Sequence, residues 1–197
     1  MTPQQEFWKW FSERESELLD FEINQEAIFD QLSNQLKRPD PDLTFEFGPK
    51  REPREFVVSA GGIKRAFPSV SALLAAAPKL ERWRFTAFRP RRIPLNIVEF
   101  RGKRIDPKDV QFSLLDDGTT AGICLFIPGY RDGDADFKQI GYLMLDEALG
   151  EYDVESKVGL IKMLSPESPT DGDRHLLSEL PMRLDELAMQ LRKRFPQ

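Results

Sequence analysis

A chain of 197 residues, 40% hydrophobic and 31% charged, has the composition of an ordinary globular protein and the length to bury a core without staples. Its single cysteine, Cys124, excludes an intramolecular disulfide and a multi-cysteine metal site. The longest uncharged stretches, Ala66–Pro78 and Gly118–Tyr130, have 13 residues each, too few for a membrane-spanning helix of about 20. The N-terminus carries early charge and no apolar signal core, so a cytoplasmic protein without a membrane partner is expected.

The net charge of −5 is unevenly spread. Residues 1–53 carry 6 basic and 12 acidic side chains, residues 54–108 carry 13 and 4, and residues 109–197 carry 9 and 17. A basic middle between acidic ends is the main compositional anomaly.

In chain order, Pro3 to Leu19 reads as one amphipathic helix with Phe7, Trp8, Phe11, Leu18 and Leu19 on its inner face. A second helix starts at Asn24, a good N-cap, with Ile23 and Ile28 spaced as a hydrophobic staple. Ile28, Leu32 and Leu36 line it, and Pro39 stops it. Residues 43–47 alternate as a half-buried strand, and a proline-rich turn leads to a second strand at 56–60. Gly61-Gly62 ends that strand. Ser69 or Ser71 then caps a short helix to Ala77, and Trp83–Phe88 is a third strand.

Ile97–Phe100 and Val110–Leu115 are further strands. Ala121–Ile127 is apolar on both faces, as in a central strand. Asp134 and Asp136 suit the start of a helix over 136–149, and Gly150 suits its left-handed cap. A strand over 158–164, a polar loop and a last helix over 179–195 complete the chain. The expected fold is α+β: mostly antiparallel sheet with helices packed on one face, in a single domain over 1–197. The order β-β-α-β recurs over 43–88 and 110–164, either as a duplication or by chance, since side-chain identity between the two is poor.

Three constellations are candidates for chemistry. Arg82, Arg84, Arg89, Arg91, Arg92, Arg101, Lys103 and Arg104 surround Trp83, Phe85 and Phe88. Arginines grip phosphates and aromatics stack bases, so this is a candidate nucleic-acid surface. The competing reading pairs these arginines with the acidic helices at the chain ends. It is preferred because the overall negative charge opposes nucleic acid at long range. Glu46, Glu151 and Asp153, with Glu155, are candidate acid–base carboxylates, against the preferred reading of solvated turn residues. Asp132, Asp134 and Asp136 superficially resemble a cation loop, but Leu143 stands where a bidentate glutamate would be needed; helix capping is preferred and no metal is assigned.

For nucleophilic catalysis, His175 lies in a polar loop and Cys124 in an apolar strand where a thiol is inert. There is no G-x-S-x-G, no P-loop and no G-x-G-x-x-G. No catalytic residue and no cofactor are assigned.

Two stretches, Ser59–Gly62 (SAGG) with Ala77–Phe85 (AP-x-L-x-x-W-x-F), and Leu149–Gly159 (LGEYDVESKVG), resemble uncharacterised bacterial proteins of unknown function. The resemblance implies a bacterial origin and supplies no functional residues. The expected function is a non-enzymatic binding or regulatory protein engaging another macromolecule. An acidic, immunity- or inhibitor-like protein docking a basic protein partner is one version. A nucleic-acid-binding protein using 82–104 is the alternative, and a carboxylate- or metal-dependent enzyme ranks third.

Overall fold

The computed structural model describes residues 1–170 and 172–194. The chain forms two compact units, Met1–Arg89 and Pro90–Gln197, each with its own hydrophobic core. The fold is α+β. Among the described residues no helix is long and apolar enough to cross a membrane.

The first unit begins with α1 (Pro3–Glu13), whose start is held by a capping box between Thr2 and Gln5. The expected single helix breaks at Arg14, where the backbone leaves the helical region (φ −115°) and the N–H bonds back to Phe11. The break lets α2 (Glu15–Leu19) bury Leu18 and Leu19 independently of the Phe7, Trp8 and Phe11 face. A 3₁₀ turn precedes α3 (Gln25–Leu36), which buries Ile28, Leu32 and Leu36 as its spacing predicts. The expected cap and staple do not form. Asn24 makes no side-chain capping bond, and Ile23 is 86% exposed because the 3₁₀ turn carries it outward.

Strands β1 (Thr44–Phe47) and β2 (Arg54–Ser59) form the expected antiparallel hairpin. Helix α4 (Phe67–Ala75) starts earlier than predicted, continuing a 3₁₀ turn with Pro68 in its first turn. Ser69 does not cap it; its hydroxyl donates to Asp40 at 2.7 Å. Strand β3 (Trp83–Ala87) then returns parallel to β2, giving the order β1-β2-β3. The core between helices and sheet is dense in aromatics: Phe11 lies within 5.5 Å, centroid to centroid, of Trp8, Phe56, Trp83 and Phe85.

The second unit opens with a hairpin, β4 (Val98–Phe100) and β5 (Lys103–Ile105). Strands β6 (Gln111–Asp116) and β7 (Ala121–Phe126) pair antiparallel, and α5 (Ala135–Leu149) leads on to α6 (Glu151–Lys157). Strand β8 (Val158–Leu164) lies parallel to β7, β9 (His175–Leu176) pairs with β6, and α7 (Leu180–Arg194) follows. The sheet order is β8-β7-β6-β9. Every residue of the central strand β7 is buried. Its odd-numbered residues pack with Ile140, Met144 and Leu145 of α5. On the even-numbered face, the Arg174 guanidinium sits 3.8 Å from the Phe126 ring centroid and donates to the carbonyls of Pro166 and Ser168. Residue 195, the expected end of the last helix, lies outside the described residues.

The expected α+β fold with mostly antiparallel pairing is observed, and the two larger sheets are mixed rather than purely antiparallel. In each unit two strands pair antiparallel, a helix crosses over, and the next strand lies parallel to the second. A crossover helix is the ordinary way to join parallel neighbours. The pattern repeat read from sequence is therefore matched by strand order and sense: β1-β2-α4-β3 and β6-β7-α5-β8.

Candidate functional site, an open strand edge beside an apolar groove

β3 ends the sheet of the first unit. The Arg54 N–H donates to the Arg82 carbonyl and the Phe88 N–H to the Val58 carbonyl, each at 2.8 Å. Residues of a parallel strand alternate in facing their partner. The even-numbered residues of β3 therefore bond to β2, and the N–H and C=O groups of Phe85 and Ala87 point away from the sheet. Among the described residues no strand lies beyond them. The strand stops at Phe88, whose φ of 63° is incompatible with a continuing ladder.

The side chains of Trp83, Phe85 and Ala87 form one wall of an open groove of about 740 Å³, and the C-terminal end of α4 with the connection through Leu80 forms the other. The floor is apolar, from Leu74, Leu80, Trp83 and Phe85, while Lys79 and Glu81 stand exposed on its lining. Trp83 is 5% exposed, and its indole N–H is buried with no hydrogen-bond partner. A buried donor left unpaired costs about 1–3 kcal/mol, so the groove is not a region optimised for the isolated fold.

The basic segment is distributed over both units and is largely matched by carboxylates. Arg82 pairs with Glu52 at 2.9 Å, Arg84 with Glu55 at 3.4 Å and Arg89 with Glu46 at 2.5 Å, all in the first unit. These partners come from β1, β2 and the turn between them, rather than from terminal helices.

In the second unit Arg91 is clamped between Asp153 of α6 and Asp185 of α7, and its Nε also donates to the Leu149 carbonyl. Asp185 also accepts from the Lys157 ammonium, at 3.1 Å. The hydrogen bonds from Arg91, and then from Lys157, hold the Asp185 carboxyl down at about 2, and the same contact raises Arg91 above its ordinary value. Arg92 is exposed, and its backbone N–H donates to the Glu147 carbonyl. Arg101 and Arg104 on the β4–β5 hairpin reach Asp136 and Glu99.

The candidate carboxylates are distributed over both units. Glu46 lies in the first unit on the Arg89 ion pair. Glu151 and Asp153 lie in the second, on the helix α6 where the sequence predicts a turn. Two positions apart on a helix, they do not face each other. Nor is Glu151 a solvated turn residue, since it is 1% exposed. Asp153 is engaged by Arg91 and by Lys157 at 2.8 Å.

Asp134 caps α5, accepting from the N–H groups of Asp136 and Phe137. Lys103 holds both Asp134 and Asp136, and lowers the former carboxyl from its usual range. Among the described residues no cluster of three or more His, Cys, Asp or Glu side chains could hold a metal ion. His175 Nδ1 stands 3.9 Å from Glu179, and Cys124 is buried in β7.

Sequence reasoning missed Arg54 altogether. It is 3% exposed, donates to Glu22 twice (2.6 and 3.2 Å) and to the carbonyls of Leu19 and Gly48, and stacks 4.3 Å from the Phe21 ring centroid. The open edge was also missed, because alternation of side chains does not say which strand ends a sheet.

No family model, no curated protein and no solved structure matches this chain, so the functional argument rests on its own geometry.

Proposed function

We propose that the protein is a non-enzymatic binding or regulatory protein that engages another polypeptide by strand addition at the β3 edge. The observation that carries this reading is the outward-facing backbone of Phe85 and Ala87 beside an apolar groove. Main-chain bonds at such an edge supply affinity, and the adjoining pocket selects alternate side chains. The matched arginines count in its favour, since cations already held by carboxylates make a poor surface for phosphates. The same balance gives no reason to extend the reading to an acidic inhibitor. On the sequence resemblance and the lone buried Cys124, the setting is the bacterial cytoplasm.

The test is affinity capture with the full chain from cell lysate, with and without nuclease and at two salt concentrations, comparing the wild type with Ala87→Pro. Proline at 87 removes an outward N–H without removing an in-sheet bond. A stoichiometric polypeptide that survives nuclease and is lost in Ala87→Pro is the expected result. Nucleic acid that elutes and falls away with salt would overturn the reading in favour of the basic segment.

A further inference from the structure

We propose that the polypeptide received at this edge is a second copy of the same chain, its β3 pairing antiparallel with the first about a two-fold axis through Phe85. The inference rests on the strand-addition reading above and adds the occupant and the register.

The charge around the edge argues for self-association. Three arginines are each matched by a glutamate, and the two remaining lining charges, Lys79 and Glu81, have opposite sign. A partner selected by net charge would find nothing to oppose. An isologous contact needs a patch that complements itself, and a patch carrying equal numbers of both signs does so.

The register follows from the strand. A two-fold axis between antiparallel strands passes through either an outward-facing residue, as a hydrogen-bonded pair, or an inward-facing one, as a non-hydrogen-bonded pair. An axis at Arg84 would set the two Arg84 side chains opposite each other, and one at Thr86 would set Arg84 opposite Phe88, where the positive φ ends the extended backbone. An axis at Trp83 would set Arg84 opposite the partner copy's Arg82, and like charges directly opposite are destabilising. Moreover, the Trp83 N–H is already given to the Leu80 carbonyl at 3.1 Å. An axis at Ala87 would draw in Phe88, where the positive φ ends the extended backbone. An axis at Phe85 sets Arg84 opposite Thr86 on both sides, with no like-charge pair.

In that register the two Phe85 residues exchange both N–H···O=C bonds, and each Ala87 N–H reaches the partner copy's residue 83 carbonyl. The sheet then runs unbroken through both copies. The partner strand lies along the groove and covers the half-buried Phe85 ring. An outward arginine on an edge is a common means of preventing pairing; here Arg84 meets a threonine.

The experiment is sedimentation equilibrium of the full chain. The wild type is expected to dimerise, and Thr86→Arg, which sets arginine against Arg84, should weaken the dimer by about tenfold. The double variant Arg84→Glu with Thr86→Arg restores opposite charges across the axis and should recover it. Unchanged near-ultraviolet dichroism from the aromatic core shows that each variant is folded. For the register, Arg84→Cys mixed with Thr86→Cys should form an interchain disulfide, because a non-hydrogen-bonded antiparallel pair brings Cα atoms to about 4.5 Å. Cys124, buried in β7, does not compete.

A wild type that stays monomeric at about 100 µM, where a Kd of about 10 µM would leave most chains dimeric, overturns the second-copy inference and leaves the edge open to another protein. A dimer that Thr86→Arg does not weaken overturns it as well. Partner capture that Ala87→Pro does not alter overturns the strand-addition reading itself.

Discussion

The two units share a strand order and differ in what holds it together. The first builds its core from aromatic rings and seals the hairpin with a buried arginine, Arg54, whose guanidinium lies over Phe21 and is tied to Glu22, Leu19 and Gly48. The second builds from aliphatic side chains around β7 and places its arginine, Arg91, nearer the surface between two helices. Both sheets stop at the strand that follows the crossover, β3 and β8, and the second adds β9 beyond β6, the counterpart of β1. One topology thus supports a unit with an apolar groove beside its last strand and a unit whose crossover helix is followed by α6 and braced by ion pairs. The comparison teaches that the repeat fixes the direction of strands and not the placement of charge.

The sharpest way to break the comparison is at its two arginines. Arg54→Ala should destabilise the first unit by about 3 kcal/mol, since it strands buried carbonyls as well as removing a charged hydrogen-bonding group. Arg54→Lys should recover only part, because an ammonium cannot span the same fork of acceptors. Chemical denaturation read by tryptophan fluorescence reports this directly, as all three tryptophans lie in the first unit. Full recovery in Arg54→Lys would show that the planar geometry is immaterial.

Next in size is the junction that distinguishes the second unit. Gly150 ends α5 and starts α6 with φ 74° and ψ 155°, a region that is nearly glycine-only. The sequence predicts a left-handed cap here; φ is positive, but ψ lies far from the left-handed helical region, and the residue turns the chain into a second helix rather than into a strand. Gly150→Ala should cost about 2 kcal/mol, measured by thermal unfolding, whereas alanine at an exposed helical position of α6 should cost little.

Acid should separate the units further. The Asp185 carboxyl is held at about 2 against an ordinary 3.8. A folded-state value below the unfolded one contributes stability that is present above the unfolded pKa and lost as pH falls through the folded one. The difference in melting temperature between wild type and Asp185→Asn should therefore be full above about pH 4 and close towards pH 2. Because Asp185 is half exposed, the difference should be small and should shrink with added salt.

What could be read from the sequence was whatever depends on local spacing. The buried stripe of α3, the doubly apolar β7 and the Asp134 cap all follow from residue type and period. The break at Arg14, the helix α6 and the parallel sense of β3 and β8 do not, because each is decided by what the segment packs against. Glu151 illustrates the limit: beside glycine and among charged neighbours it reads as exposed, yet it is buried in the first turn of a helix. Trp83 was singled out from its basic surroundings, while its place on a free edge required the hydrogen bonds of its neighbours.

The smallest effect bears most closely on that edge. Trp8 and Trp83 belong to one aromatic cluster and are buried to similar extents, 3% and 5% exposed. The Trp8 indole N–H donates to the Leu73 carbonyl at 2.6 Å, whereas that of Trp83 has no acceptor. Replacing either with phenylalanine removes a similar volume, so the ring-loss terms nearly cancel in the comparison. What remains is the polar difference. Trp8→Phe abandons a buried carbonyl, and Trp83→Phe removes a donor that was never satisfied. Trp8→Phe should therefore be the more destabilising by about 1 kcal/mol, read from denaturation curves of the two variants. Equal losses would mean that the Trp83 N–H finds an acceptor in solution, and the groove would then have to be regarded as a finished part of the core.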